Sequence, residues 1–117
     1  MKIEGPGKCL RIYCGETDQW HGRPLYAAIV ERAREQGMAG ATVTRGVMGF
    51  GARSRIHTAS VLRLSEDLPI VIEIVDTADR VDTFLPLLDE MVDEGLVATW
   101  DLSIERYVHG ADPEPER

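Results

Sequence analysis

Cysteine is nearly absent. The 117-residue chain has two, Cys9 and Cys14. Five positions apart in one predicted strand, they point to opposite faces and cannot pair with each other. Their spacing fits no zinc motif. A reduced, cytoplasmic setting is the simplest account. Histidine is also scarce, with three residues. None is paired as HxH or at i, i+4, which argues against a metal site within one chain. Long apolar runs are missing too. None approaches the roughly 20 residues of a membrane span, and "MKIEGPGK" offers no apolar stretch for a signal peptide. No internal repeat and no long linker is visible. Basic charge is outnumbered, 13 residues against 20 acidic, for a net charge of −7. Such a body gives nucleic acid no broad basic face.

What is present fits one globular domain. An apolar fraction of 44% and a charged fraction of 28% can build a single core at this length. Residues 1–109 form the expected domain. The tail "GADPEPER", essentially 110–117, is rich in Pro and Glu and reads as disordered.

The pattern along the chain alternates strand and helix periods. "KCLRIYCG" (8–15) alternates Leu10, Ile12 and Cys14 against Arg11 and Tyr13, which predicts a strand. "ETDQWHGR" reads as a loop. Pro24 suits a first helical position. Leu25, Ala28, Ile29, Arg32 and Ala33 keep helical spacing and Gly37 is a stop, predicting a helix over 24–36. "AGATVTRGVM" (39–48) and "LPIVIEIVD" (68–76) read as strands. Asp76 or Thr77 can cap the next helix. Its stripe is Val81, Phe84, Leu85, Leu88, Met91 and Val92. Pro86 inside it predicts a kink or a split, and Gly95 a stop. Asp76, Asp79 and Asp82 around its start fit dipole stabilisation. "LVATWDLSIERYV" (96–108) is a fourth strand, with Trp100, Leu102 and Ile104 alternating against Asp101, Ser103 and Glu105.

The order is βαββαβ. Short connections and right-handed crossovers predict an α+β, ferredoxin-like fold: a four-stranded antiparallel sheet with two helices on one face. The other face should carry Tyr13, Val71, Val75 and Met48 among Arg11, Glu73, Asp101 and Glu105. That mixture is too apolar to stay wet and implies oligomerisation through the sheet.

Acidic residues are missing altogether between Gln36 and Ser65. That window contains Arg45, Arg53, Arg55 and Arg63, so it carries +4 while the remainder carries −11. Within it lies "TRGVMGFGARSRIHTA" (44–59). Gly46, Gly49 and Gly51 could admit backbone N–H groups to an anion, and Arg45, Arg53 and Arg55 could grip phosphate with paired donors. The spacing is neither a Walker loop nor GxGxxG. The plainer reading is turn chemistry with solvated arginines. His57, followed by Thr58, could contact phosphate, ribose or a carboxylate, or satisfy local backbone.

"LRIYCGETDQWHGRPLYAAIVERAREQGMAGATVTRGVMGFG", "RIHTASVLRLSEDLPIVIEIVDT" and "FLPLLDEMVDEGLV" resemble the DUF190 family, grouped with the PII-like signalling proteins. The resemblance runs from about residue 8 to 107. It implies a homotrimer with its sheets facing inward and ligand clefts between subunits. It implies that the connection between the second and third main strands is a T-loop in contact with nucleotide. Arg45, Gly49, Gly51, Arg53, Arg55, His57 and Thr58 would then hold the phosphates of an adenine nucleotide such as AMP or ADP. The protein would be a non-enzymatic regulator without a resident cofactor, and its client could be a membrane transporter or channel. The PII proteins proper have a tyrosine in the T-loop, and none occurs between 44 and 66. They also have a glycine-rich phosphate loop after the second helix, where this chain has only "DEGLVATW". A mononucleotide or diphosphate fits that difference better than a triphosphate.

Two other readings use the same residues. A small ferredoxin-like enzyme could use Glu16, Asp18 and His57 for acid–base chemistry. A trimer of the CutA kind could assemble a metal site between chains. In "GETDQWHGRPLY", Trp20 or Tyr26 could stack on a base and Glu16 could accept from a ribose hydroxyl. The plainer reading there is a solvated acidic loop with a packed tryptophan.

Overall fold

The computed structural model describes residues 2–51 and 67–109. The chain runs β1 (Lys2–Gly15), β2 (Gln19–Trp20), β3 (Arg23–Pro24), α1 (Leu25–Glu35), β4 (Thr42–Arg45), β5 (Pro69–Asp76), α2 (Ala78–Met91) and β6 (Leu96–Val108). The four long strands form one antiparallel sheet in the order β4-β5-β1-β6. This is the expected ferredoxin-like α+β arrangement, with a small β2–β3 hairpin added.

The core lies between the sheet and the two helices. Leu10, Ile12, Ile72 and Ile74 are fully buried against Ile29, Val81, Phe84 and Leu88. Alternation in β1 and β5 and 3.6-residue spacing in the helices bring these positions together. Thr77 caps α2 by accepting from Arg80 N. Pro86 sits inside α2 without splitting it: Ala78–Met91 is continuous. Proline removes one backbone donor there, and the packing of Val81, Phe84, Leu88 and Met91 on both sides holds the helix together. Of the two capping candidates it is Thr77 that caps α2, while Asp76 just before it is fully buried. Its carboxylate accepts from Ala39 N at 2.9 Å and Thr77 N at 2.7 Å, tying the start of the 39–45 segment to the end of β5.

β1 is longer than the alternation from residue 8 suggests. Pro6 pairs with Ser103 of β6, but β5 pairs only from Lys8 onward. Pro6 therefore stands where β1 is an edge and needs no second ladder. β4 is shorter than 39–48. Ala39 N is held by Asp76, and Tyr107 Oη donates to Ala39 O at 3.1 Å, so that end is drawn out of the ladder. At the other end Gly46 N donates to Pro69 O at 2.8 Å, and β5 begins at Pro69, which has no N–H to extend the pairing. Met48 thus lies beyond β4 and not on the sheet.

The register also corrects which residues of β6 share the open face. Gly7, Cys9, Arg11 and Tyr13 oppose Leu102, Trp100, Ala98 and Leu96. Asp101 instead opposes Lys8 on the helix side, and Glu105 lies where the pairing shifts register between Ile3 and Gly5. β6 is the outer strand, beyond the helices' cover, so its polar set is wet even on the helix side: Val97 there is 38% exposed. On the open face Arg11 pairs with Glu73 and lies 4.8 Å over the Trp100 ring. Tyr13, Val75, Leu96 and Trp100 are all exposed there.

Cys9 and Cys14 are both free and buried, on opposite faces of β1 as expected. Among the described residues no helix is long and apolar enough to cross a membrane.

Candidate functional site

At one end of the sheet four chain segments enclose a cleft of about 440 Å³. β1 supplies Tyr13, Cys14 and Gly15, and the turn after it supplies Asp18. Phe50 and Gly51 come from the stretch beyond β4, and Asp67 and Pro69 from the start of β5. Glu94, Gly95 and Leu96 come from the junction between α2 and β6.

Local chemistry explains why these segments meet. Gly15 N donates to Asp18 Oδ2 at 2.9 Å, which closes the turn after β1. Asp67 Oδ1 accepts from Thr17 N at 3.2 Å and Thr17 Oγ1 at 2.9 Å, so the approach to β5 is fastened to that turn. Glu16 N donates to Leu68 O at 2.8 Å and continues the fastening. Gly95 has φ +149°, and a Cβ there would sit 2.6 Å from Tyr13 O. Only glycine lets the α2–β6 junction lie so close to the end of β1.

The walls are apolar and acidic. Tyr13, Cys14, Phe50, Pro69 and Leu96 offer carbon surface; Asp18, Asp67 and Glu94 offer carboxylates. No lysine or arginine is among the described residues of the lining. Burial pushes the Cys14 thiol up to about 12, and the nearby charges of Asp18 and Asp67 add to the effect. It stays a neutral thiol and not a nucleophile.

The predicted phosphate residues divide. Arg53, Arg55, His57 and Thr58 lie outside the described residues. Arg45 ends β4, and its Nη1 donates to Glu16 Oε2 at 2.8 Å. Gly51 lines the cleft. Gly46 and Gly49 have a packing reason for lacking a side chain. An added Cβ would come within 2.9 and 3.0 Å of Pro69 Cγ. Gly46 N is already engaged by Pro69 O and does not face a ligand.

The other named candidates are also placed. Glu16 faces Arg45 and Asp18 faces the Gly15 backbone, so each carboxylate has a partner within the fold. Trp20 stacks on His21 at 3.9 Å and packs on the core, leaving that face closed to a base. Tyr26 is likewise packed against the core. Among the described residues no group of three His, Cys, Asp or Glu could hold a metal ion. Sequence reasoning missed Tyr13, Asp67, Pro69, Glu94 and Leu96 as cleft residues. They come from separate parts of the chain, and no local motif marks them.

The DUF190 family model, "Uncharacterized ACR", matches residues 7–104. The chain belongs to this family. A UPF0166 protein of Methanocaldococcus jannaschii is 35% identical over 98 residues, covering 83% of this chain and 90% of that protein. A UPF0166 protein of Aquifex aeolicus is 38% identical over 78 residues, covering 67% and 74%. Among solved structures, CPII from Thiomonas intermedia K12 bound to ADP and bicarbonate aligns with TM-score 0.56 and 18% identity, over 89% of this chain and 91% of that one. CPII bound to ADP, AMP and bicarbonate, described as a nitrogen regulatory PII-like protein, aligns with TM-score 0.54 and 16% identity, over 92% and 100%. The DUF190 chain thus has the fold of a PII-like protein.

Proposed function

We propose that this DUF190 protein is a non-enzymatic, PII-like regulator that binds an adenine nucleotide, AMP or ADP, in clefts between the subunits of a homotrimer. The observation that carries the reading is the cleft itself. It opens at the end of the sheet and is lined in part by Phe50 and Gly51, which belong to the 37–64 window that has four arginines and no acidic residue. CPII, similar in fold, is described with ADP and AMP bound, which supports a nucleotide as the ligand.

The two ends of a nucleotide suit different parts of this site. The aromatic and aliphatic wall suits a purine, and the carboxylates of Asp67 and Glu94 can accept from amino or hydroxyl donors. The same carboxylates repel phosphate. The phosphates would therefore extend away from them to Arg45, Arg53 and Arg55, with Gly49, Gly51, His57 and Thr58 completing the contacts. The α2–β6 junction adds Glu94 and no cation, which favours a mono- or diphosphate over a triphosphate.

The open sheet face would join the three subunits, inward, and remove Trp100, Leu96 and Val75 from water. The segment between β4 and β5 would act as the T-loop, changing shape with the ligand and showing a different surface to a client. A membrane transporter or channel fits that role, in a cytoplasmic setting.

Thermal unfolding with AMP, ADP, ATP and cyclic nucleotides tests the reading. AMP or ADP should raise Tm in a concentration-dependent way. Replacing Arg53 and Arg55 together by alanine should abolish that rise while leaving the unliganded Tm in place. No rise with any nucleotide, or an unchanged rise in the double variant, contradicts it.

A further inference from the structure

The pairing of Arg45 bears on how the proposed site is regulated, and the inference rests on the nucleotide reading. We propose that Glu16 is an internal competitor for the anion site: its carboxylate occupies the Arg45 guanidinium when no ligand is bound, and an incoming phosphate displaces it.

The topology makes this contact unusual. β4, which ends at Arg45, and β1, which ends just before Glu16, are not neighbours in the sheet. β5 runs between them. The ion pair therefore spans the start of β5, where Glu16 N is bonded to Leu68 O and Gly46 N to Pro69 O. Glu16 directly follows Gly15, and Arg45 directly precedes Gly46, which is bonded to Pro69 O; Gly15 and Pro69 both line the cleft, so the pair joins two segments that border it.

The chemistry of the pair is that of a placeholder. Arg45 Nη1 contacts one oxygen of Glu16, at 2.8 Å. The other oxygen, Oε1, is buried and has no hydrogen-bond partner. Arginine–carboxylate pairs are frequently two-pronged, and most buried carboxylate oxygens have a partner. Here the grip is single and half of the carboxylate is unsatisfied. A phosphate presents more acceptor oxygens to the same guanidinium fork and can take the seat. Glu16 is also the more buried member, its side chain 22% exposed against 52% for Arg45. Arg45 thus remains reachable from solvent by a ligand that Glu16 must yield to.

The test is isothermal titration of the full chain with ADP, for the unaltered protein, Glu16→Gln, Arg45→Ala and the double variant. Glutamine keeps the size of Glu16 and removes the competing charge. The expected result is tighter ADP binding by roughly two- to fivefold in Glu16→Gln, the range set by the strength of an exposed ion pair. Arg45→Ala should weaken binding, and adding Glu16→Gln to it should change affinity no further. Circular dichroism of each variant confirms that the fold is retained. Unchanged or weaker binding in Glu16→Gln overturns the proposal, and so does an Arg45→Ala variant that binds as the unaltered protein does. Weaker binding would assign Glu16 to a ligand hydroxyl. The two readings fail differently. If the unaltered protein binds neither ADP nor AMP, the nucleotide reading falls and this one with it. If it binds and Glu16→Gln brings no gain, this one alone falls.

Discussion

The two faces of the sheet are built by the same alternation and end in opposite states. On the helix side Leu10, Ile12, Ile72 and Ile74 are each 0% exposed. On the open side Tyr13 and Val75 are each 37% exposed and Trp100 is 42% exposed. The first face is finished within one chain. The second combines large apolar groups with an Arg11–Glu73 pair and a cation over an aromatic ring, a composition typical of an interface and not of a solvated surface. The lesson is that burial inside one chain identifies the fold, and the surface left half-buried points to assembly. Tyr13 and Leu96 belong both to the open face and to the cleft lining, so the proposed ligand site and the proposed assembly share residues.

The largest effect belongs to the finished face. Phe84 is 1% exposed at the centre of the core. Phe84→Ala should lose about 3–5 kcal/mol of unfolding free energy in urea, from lost transfer energy and the cavity left behind. A loss under about 1 kcal/mol would mean the helix side is not the core described. On the open face, the unaltered protein should sediment at the mass of the proposed trimer, and Trp100→Glu should leave the subunit folded, by circular dichroism, and sediment at monomer mass. An intact trimer would deny that this face joins subunits. The smallest effect concerns the cysteine of the covered face. The Cys14 thiol ionises at about 12 in the fold, against 9.0 for an ordinary cysteine. A raised value means the folded state favours the neutral thiol. Its contribution is complete below pH 9 and is lost as pH rises from about 9 to 12, because the unfolded chain ionises first. Stability of Cys14→Ala should therefore fall less steeply over that interval than that of the unaltered protein. Equal slopes would show that Cys14 is not held as described.

The architecture was readable because its signals are local. β6 begins and ends where the alternation of 96–108 predicts, and α1 lies within one residue of 24–36 at each end. The misreadings have tertiary causes. β4 is cut short by Asp76 at one end and by Pro69 at the other, neither of which is near it in sequence. The β2–β3 hairpin was hidden in "QWHGRP", where His21 and Gly22 both take positive φ, the demand of a tight two-residue turn. The side assignment of β6 was inverted because amphipathic alternation says which residues share a face and not which face the helices cover. The site was the least legible part. Glycine and arginine content located the basic window, but the cleft depends on Tyr13, Asp67, Glu94 and Leu96, which meet only when the strands are in register. That Arg45 is already held by Glu16, 29 positions away, also could not be read from sequence.

A crystal structure of the assembly grown with ADP tests the central claim most directly. The account predicts three copies of the chain, one ADP in each crevice between neighbours, and its phosphates within hydrogen-bond distance of Arg45 and the guanidinium groups that follow it. A monomer, or an ADP whose phosphates lie away from those arginines, would contradict it.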